Sequence, residues 1–335
     1  MLGKVSGNSY ELLGDKITIS SDDLAAQKMV LTITADQFQT LTEYLSNNGY
    51  YTHADLINEL VVPKQGFDTF TVHDEINDDL TLRHTELLTD VSKRHKNGQN
   101  FFLYLHYSNI HTGIMNEVLK KYTNFSKDFF DNKEVNAERY DRLFSNSEIY
   151  LSKVLDQIYD LHLDDNSIIL IMSDHGVSVG EKFGERAYGA FCYDYTLKTI
   201  THFISKKFTS KKITQQIRTI DFMPTILDYL EIPLNAEKNP LDGISLLPLI
   251  HNQKLDEQIA YSETGNPLSE KQPPKMPNVM SVRNSKWKLI YNVHNDTKEL
   301  YDLSTDPLES KNLIGTKIEI ESTLWDELIK IRNSN

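Results

Sequence analysis

The sequence has a single cysteine, Cys192, so no disulfide bond can form within the chain and the redox compartment is left open. No apolar run approaches the roughly 20 residues that a membrane helix requires. The first residues, MLGKVSGNSYELLGD, lack the basic and apolar regions of a signal peptide. We therefore expect a cytoplasmic protein with no membrane partner.

Dense blocks of lysine and arginine are also missing. The chain carries 35 Lys and Arg residues against 48 Asp and Glu residues, and its net charge is -13. This balance disfavours nucleic acid and anionic membrane surfaces as partners. An acidic surface repels anions in general, so an anionic substrate would need a local cation, such as a bound metal.

The composition is otherwise that of an ordinary globular protein, with 39% hydrophobic and 25% charged residues among 335. Apolar residues at helical spacing predict helices at 34–49, 80–96, 137–161 and 221–230. Short apolar runs predict strands at 100–107 and 168–172. This alternation indicates an α/β fold with a mixed, mostly parallel sheet sandwiched by helices.

The texture changes after about residue 235. A proline-rich loop, KQPPKMPNV, precedes a segment with the pattern of an antiparallel hairpin, and a last helix is predicted near 319–331. We expect an α/β core at 1–235 and a small C-terminal α+β subdomain at 236–335.

Two of the predicted strands end in residues that bind ligands. The run IILIM is followed by Asp174 and His175, and the run FFLYLHY leads to His111. Ligands in open α/β sheets gather outside the carboxyl ends of the strands, and an Asp-His pair suits a divalent metal. On the pattern alone a plainer alternative is favoured, in which Asp174 caps the next turn and His175 lies at the surface.

The order of segments from residue 40 onward resembles the sulfatase family of the alkaline-phosphatase-like superfamily. The segments that carry the resemblance are TLTEYLSNNGYYT, GFDTF, FFLYLHYSNIHTG, IILIMSDHG, CYDYTLKTITHFIS, TIDFMPTILDYLEI, DGISLLPLI and KWKLIYNVHNDTKELYDLSTDPLESKNL. The last of these is the most specific. The resemblance implies an alkaline-phosphatase-like core and hydrolysis of sulfate esters, including those of carbohydrates.

The resemblance also implies roles for individual residues. A divalent cation, usually calcium in the family, would be held partly by Asp174 and His175 and would act on the anionic oxygens of the ester. His111 would lie near the scissile bond, where it would bind the sulfate or protonate the leaving oxygen. His106 is expected inside or at the end of its strand, and no role is assigned to it.

The sequence departs from the family pattern in two places. It has neither the paired aspartates of the family's first strand nor the nucleophile motif Cys/Ser-x-Pro-x-Arg, and Cys192 in FCYDY does not supply it. The usual basic ligand of the substrate falls near Tyr188, where the nearest cations are Lys182 and Arg186. Arg186 would pair with a sulfate through two hydrogen bonds, or it is a solvated loop charge.

These departures leave three hypotheses open. The first is a metal-dependent sulfatase, the second a phosphodiesterase or phosphonate hydrolase of the same superfamily, and the third a truncated or degenerate paralogue without catalysis. A missing first strand would expose the edge of its neighbour, so the chain is expected to aggregate or to form a homodimer there. Otherwise another segment, such as 16–20, would have to replace that strand.

Overall fold

A computed structural model describes residues 4–6, 9–12, 15–18, 39–59, 61–119, 127–185, 187–235, 241–265 and 277–334. The strands are β1 (Lys4–Ser6), β2 (Ser9–Leu12), β3 (Asp15–Thr18), β4 (Tyr51–Leu56), β5 (Thr69–Val72), β6 (Phe101–Leu105), β7 (Ile169–Met172), β8 (Thr201–Ile204), β9 (Ala260–Thr264), β10 (Val279–Arg283), β11 (Trp287–Asn292) and β12 (Thr297–Asp302). The helices are α1 (Leu41–Asn47), α2 (Leu80–Lys96), α3 (Asn109–Gly113), α4 (Lys127–Asp131), α5 (Lys133–Asp160), α6 (Asp194–Leu197), α7 (Phe222–Tyr229), α8 (Leu247–Ile250) and α9 (Ile318–Ser334).

The central sheet is parallel, in the order β5-β4-β6. Side chains of β6 alternate between its faces, as the pleat of a strand requires. Phe101, Leu103 and Leu105 pack against the cluster formed by α2 and α5, whereas Phe102 packs against residues of α1 and α7. The sheet is therefore covered by helices on both faces, and the predicted α/β fold is confirmed.

The helix boundaries follow from local capping. The Asp79 side chain accepts hydrogen bonds from the amides of Thr81 and Leu82, so α2 begins at Leu80 as predicted. The first helix begins later than predicted. Thr40 and Glu43 form a capping box that fixes its start at Leu41, and residues 34–38 lie outside the described ranges.

The strand β7 pairs with β8 in an antiparallel manner, with Ile169 opposite Ile204 and Met172 opposite Thr201. The amide of Ser173 continues this pairing by donating to the carbonyl of Ile200. The chain leaves the strand immediately before Asp174 and His175, as the sequence predicts.

The C-terminal part contains a four-stranded antiparallel sheet in the order β12-β11-β10-β9. Leu324 and Leu328 of α9 pack against apolar residues of β10, β11 and β12. This confirms the predicted C-terminal sheet and helix, while the boundary at residue 235 stays a prediction. None of the helices in the described ranges combines the length and the hydropathy that a bilayer span requires.

The first three strands form an antiparallel sheet of their own, in which β3 pairs with β2. Within the described residues, β5 and β6 are the edges of the central sheet. The segment proposed to replace a missing strand, 16–20, thus lies partly in β3. Its described residues, 16–18, pair with β2 and not with β4, β5 or β6. Residues 19 and 20 lie outside the described ranges.

Candidate active site at the strand ends

The three parallel strands and β7 all end beside polar side chains. Because parallel strands end at the same edge, these side chains lie in the region where α/β proteins bind ligands. The residues that follow or close the strands are Asp55 on β4, His73 after β5, His106 and Ser108 after β6, and Asp174 and His175 after β7. They form an exposed group and a buried group.

In the exposed group, Tyr188 joins His111 to His175. The rings of Tyr188 and His111 are stacked, with centroids 5.4 Å apart, and the Tyr188 hydroxyl lies 3.4 Å from His111 Nδ1. The His175 ring meets the edge of Tyr188 at 5.6 Å. Burial raises the pKa of Tyr188, so its hydroxyl keeps its proton. In the tautomer in which this hydroxyl donates to His111 Nδ1, the imidazole proton lies on Nε2.

Asp174 and His175 are held next to each other by the turn at Gly176. The amide of His175 donates to Asp174 Oδ1 over 2.8 Å, and His175 Nδ1 donates to the Gly176 carbonyl over 2.7 Å. In the neutral imidazole the second contact leaves a lone pair on Nε2, which lies 3.6 Å from Asp174 Oδ2. Two ligands of one cation at about 2.1 Å lie roughly 3–4 Å apart, so this pair fits part of a metal site.

His106 lies between the exposed and buried groups. Its Nδ1 is buried and has no hydrogen-bond partner among the described residues. Burial lowers its pKa more than the neighbouring Asp174 carboxylate raises it, so the ring is neutral and a lone pair is available. Sequence reasoning assigned no role to His106, although an imidazole directly after an apolar strand was the available signal.

Of the two cationic residues predicted to contact the substrate, Lys182 and Arg186, only Lys182 lies among the described residues. Lys182 points toward the C-terminal sheet, where its Nζ donates to the Tyr301 hydroxyl over 3.0 Å and lies 3.7 Å from the centre of the Tyr193 ring. It also forms an ion pair with Glu299 at 3.9 Å. Arg186 lies outside the described residues. Roles for these two residues in substrate binding stay predictions.

The buried group was not predicted from the sequence. Asp55 on β4 accepts hydrogen bonds from Thr71 on β5, from His73 after β5, and from Arg83 and His84 on α2. We call these five residues the Asp55 cluster. A carboxylate inside a buried strand is stable only when it is paired, so Asp55 itself was the available signal.

The hydrogen bonds to Asp55 indicate which atoms of the Asp55 cluster donate and which accept. Burial works to raise the pKa of Asp55, but the hydrogen bonds from His84, Arg83, Thr71 and His73 hold it well below its ordinary value. An ionised carboxylate only accepts, so His73 Nδ1 and His84 Nε2 donate to Oδ2, each over 3.0 Å. Arg83 Nη2 donates to Oδ1 over 2.7 Å. With one proton on each imidazole, the carboxylate and the guanidinium balance to zero net charge.

Among the described residues, one group of three metal-binding side chains brings its ligand atoms within 4.8 Å of one another. Its members are Asp55, His73 and His84. A dication here would lie beside the Arg83 guanidinium and would leave two positive charges uncompensated among buried side chains. Burial of unpaired charge is costly, so the donor set fits a hydrogen-bonded cluster better than a metal site.

Comparison with known proteins identifies the fold and the family. A family model described as Sulfatase matches residues 19–232, and a model described as N-sulphoglucosamine sulphohydrolase, C-terminal, matches residues 190–334. The Delta 4,5-hexuronate-2-O-sulfatase of Bacteroides thetaiotaomicron is 30% identical over 192 residues, which are 54% of this chain and 38% of that protein. This chain thus spans less than half the length of that curated relative.

Two solved structures show the same architecture. BT1596, a 2-O GAG sulfatase, matches with a TM-score of 0.64 and 19% identity over 98% of this chain and 77% of that one. The phosphonate monoester hydrolase SpPMH from Silicibacter pomeroyi matches with a TM-score of 0.61 and 15% identity over 88% of this chain and 80% of that one. At these identities the likeness establishes the fold.

Proposed function

Because the chain belongs to the sulfatase family, we propose that its exposed group acts in the metal-dependent hydrolysis of sulfate esters. The observation that carries the proposal is the convergence of His111 and His175 on Tyr188. These residues follow two different strands, and the resemblance assigned them to ester and metal. Tyr188 stands where the family pattern has a basic ligand, so a bound cation would supply positive charge for the anionic ester, beside any contribution from Lys182 or Arg186.

Asp174 Oδ2 and His175 Nε2, which lie 3.6 Å apart, would hold the cation. A bound dication supplies electrostatic stabilisation to the oxygens of the sulfate. Calcium is the proposed ion. Imidazole suits zinc better than calcium, and manganese takes carboxylate ligands as calcium does, so these two ions belong in the same experiment.

His111 would donate the Nε2 proton to the leaving oxygen of the ester. In the tautomer that this role requires, the Tyr188 hydroxyl would donate to the opposite nitrogen, Nδ1, and the proton to be donated would lie on the side away from Tyr188. General acid catalysis of this kind contributes typically 10²–10⁴-fold to a rate.

The sequence of 335 residues contains no Cys/Ser-x-Pro-x-Arg motif, so a covalent nucleophile is not among the residues to which we assign roles. The proposal for this chain therefore covers the cation, the sulfate and the leaving group. The same absence favours a second candidate function, a non-catalytic protein that binds sulfated ligands through this group.

Sulfated carbohydrates are the proposed substrates or ligands. The support comes from the relatives, since one is named a hexuronate 2-O-sulfatase and one matching structure is a 2-O GAG sulfatase. A phosphonate or phosphate ester is the alternative, because the phosphonate monoester hydrolase matches the fold with a nearly equal TM-score.

Calorimetry with calcium, manganese and zinc, followed by a sulfated disaccharide, tests the proposal. We expect weak metal binding that Asp174→Ala and His175→Ala abolish, and disaccharide binding only in the presence of the metal. The matched control is His294→Ala, because His294 is exposed in the turn between β11 and β12. Metal binding unchanged in Asp174→Ala would refute the assignment.

Turnover separates the two candidate functions. Loss of a covalent nucleophile costs up to about a millionfold, so the 335 residues alone should hydrolyse nitrophenyl sulfate and nitrophenyl phosphate negligibly. If the reading frame continues upstream with the nucleophile motif, the longer chain should regain turnover that depends on His111 and Asp174. Binding without turnover in either chain would favour the non-catalytic function.

A further inference from the structure

Ser108 is the residue directly before the short helix α3, which carries His111. Its hydroxyl does not cap that helix. A serine at this position usually accepts a hydrogen bond from an amide in the first turn of the helix. Here the hydroxyl lies 3.2 Å from His73 Nε2 instead. The serine thus ties the turn after β6 to the end of β5.

The hydrogen bond from Ser108 continues into the Asp55 cluster. His73 Nδ1 donates to the ionised Asp55 carboxylate, so in the neutral imidazole it is His73 Nε2 that accepts from the Ser108 hydroxyl. The side chains of His73 and Asp55 are fully buried, and Ser108 is 2% exposed. No water competes for these hydrogen bonds, and Arg83 anchors the far side of Asp55 with two contacts to Oδ1.

We propose that His73 is a positioning residue, which holds Ser108 and through it sets where His111 stands against Tyr188 and His175. The proposal deepens the proposed function, because it rests on the role assigned to His111 there. The backbone supplies the link. The Thr112 amide donates to the Ser108 carbonyl over 3.2 Å, so the turn that contains His111 is built on Ser108.

Two other interpretations of the same residues fit less well. Serine, histidine and aspartate in this order form the nucleophile, the general base and the orienting carboxylate of many hydrolases. A nucleophile must be reached by its substrate, however, and the Ser108 hydroxyl is enclosed. A metal held by the Asp55 cluster is disfavoured by Arg83, which already neutralises the carboxylate.

The test compares both ends of the Asp55 cluster. His73→Asn keeps a donor for Asp55 but loses the acceptor for Ser108, and Ser108→Ala removes the hydroxyl. Tyr150→Phe is the matched control, because the Tyr150 hydroxyl is hydrogen-bonded to His84 Nδ1 over 2.6 Å at the opposite end of the hydrogen-bond chain from Ser108, and phenylalanine keeps the stacking of this ring on Tyr107. All three variants lose one buried hydrogen bond.

Amide hydrogen exchange of residues 109–113 is the first measurement. We expect His73→Asn and Ser108→Ala to accelerate exchange about tenfold, which corresponds to one net hydrogen bond of about 1.4 kcal/mol, while Tyr150→Phe leaves it unchanged. Equal acceleration in all three variants would show a merely structural role and overturn the proposal. No acceleration in Ser108→Ala would overturn it as well.

The second measurement uses the longer, active chain where one is obtained, or metal-dependent disaccharide binding otherwise. We expect His73→Asn to lower kcat about tenfold at nearly unchanged KM, because His111 is displaced while Asp174 and His175 are not. Exchange in the 109–113 turn is independent of turnover. If the unaltered protein neither turns over nor binds ligand, the proposed function fails while the exchange result still decides whether His73 positions His111.

Discussion

Replacement of Asp55 by asparagine should destabilise the protein far more than any exposed ion pair could. The asparagine keeps one acceptor, but its amide group faces His73, His84 and Arg83, which all donate. Removing one partner of a buried ion pair typically costs 3–5 kcal/mol. The Arg83 side chain is 32% exposed and keeps Asp78 at 3.6 Å, so we expect about 3 kcal/mol, at the lower end of that range.

Urea denaturation at pH 7 measures this loss as a lower midpoint at unchanged slope. The matched control is Asp90→Asn on α2, the helix that carries Arg83 and His84, since Asp90 forms an exposed pair with Arg94 at 3.3 Å. Exposed pairs of this kind contribute less than about 0.5 kcal/mol. A loss below about 1 kcal/mol for Asp55→Asn would refute the pairing described for the cluster. Stability that falls on treatment with a chelator would instead show that a metal occupies it.

The pH dependence follows from the sign of the shift. The pKa of Asp55 is lower in the folded state than in the unfolded state, where it is about 3.9. Its contribution to stability is therefore fully present above the unfolded value and is lost as the pH falls from there toward the folded one. The difference between the unaltered protein and Asp55→Asn should stay constant above about pH 5 and shrink below about pH 4.

Three further substitutions or treatments test the exposed group and the burial of the single cysteine. Gly176→Ala places a Cβ 2.3 Å from the Tyr195 carbonyl oxygen, so the loop after β7 must shift; we expect a loss of about 1–3 kcal/mol in urea and weaker metal binding by calorimetry. Tyr188→Phe removes the hydroxyl near His111 Nδ1 and should lower turnover of the active chain without changing metal affinity, whereas unchanged turnover would exclude this contact from the mechanism. Burial raises the pKa of Cys192 to about 12, so a thiol reagent should modify the native protein at the rate of unfolding, and rapid modification at pH 8 would contradict that burial.

Features that depend on local periodicity were predictable from the sequence. The helices α2 and α5, the strand β7 and the C-terminal hairpin β11–β12 all carry strong patterns of apolar residues, and each lies where the pattern indicates. The start of α1 was missed because Thr34 and Asp36 are equally good capping residues by composition. Only the reciprocal hydrogen bonds between Thr40 and Glu43 distinguish the true start.

The exposed group was predictable in part. His111, Asp174 and His175 were identified because they follow apolar runs, which is a local signal. The contact of His111 and His175 with Tyr188 was not predicted, because Tyr188 lies in a loop that is rich in glycine and charged residues and has no periodicity. Its position near the family's basic ligand directed attention to the charged neighbours Lys182 and Arg186 instead.

The Asp55 cluster could not be predicted, because its members come from two strands and a helix that the sequence does not align with one another. Once they are aligned, the strand ends form two layers with different tasks. With neutral imidazoles the buried layer has zero net charge and adds little to the electric field at the surface, so we expect its influence on an anionic ligand to be geometric. In the proposed function, a bound metal supplies the positive charge of the exposed layer. A substitution in the buried layer should therefore alter the placement of His111, whereas a substitution at Asp174 should alter the affinity for the metal.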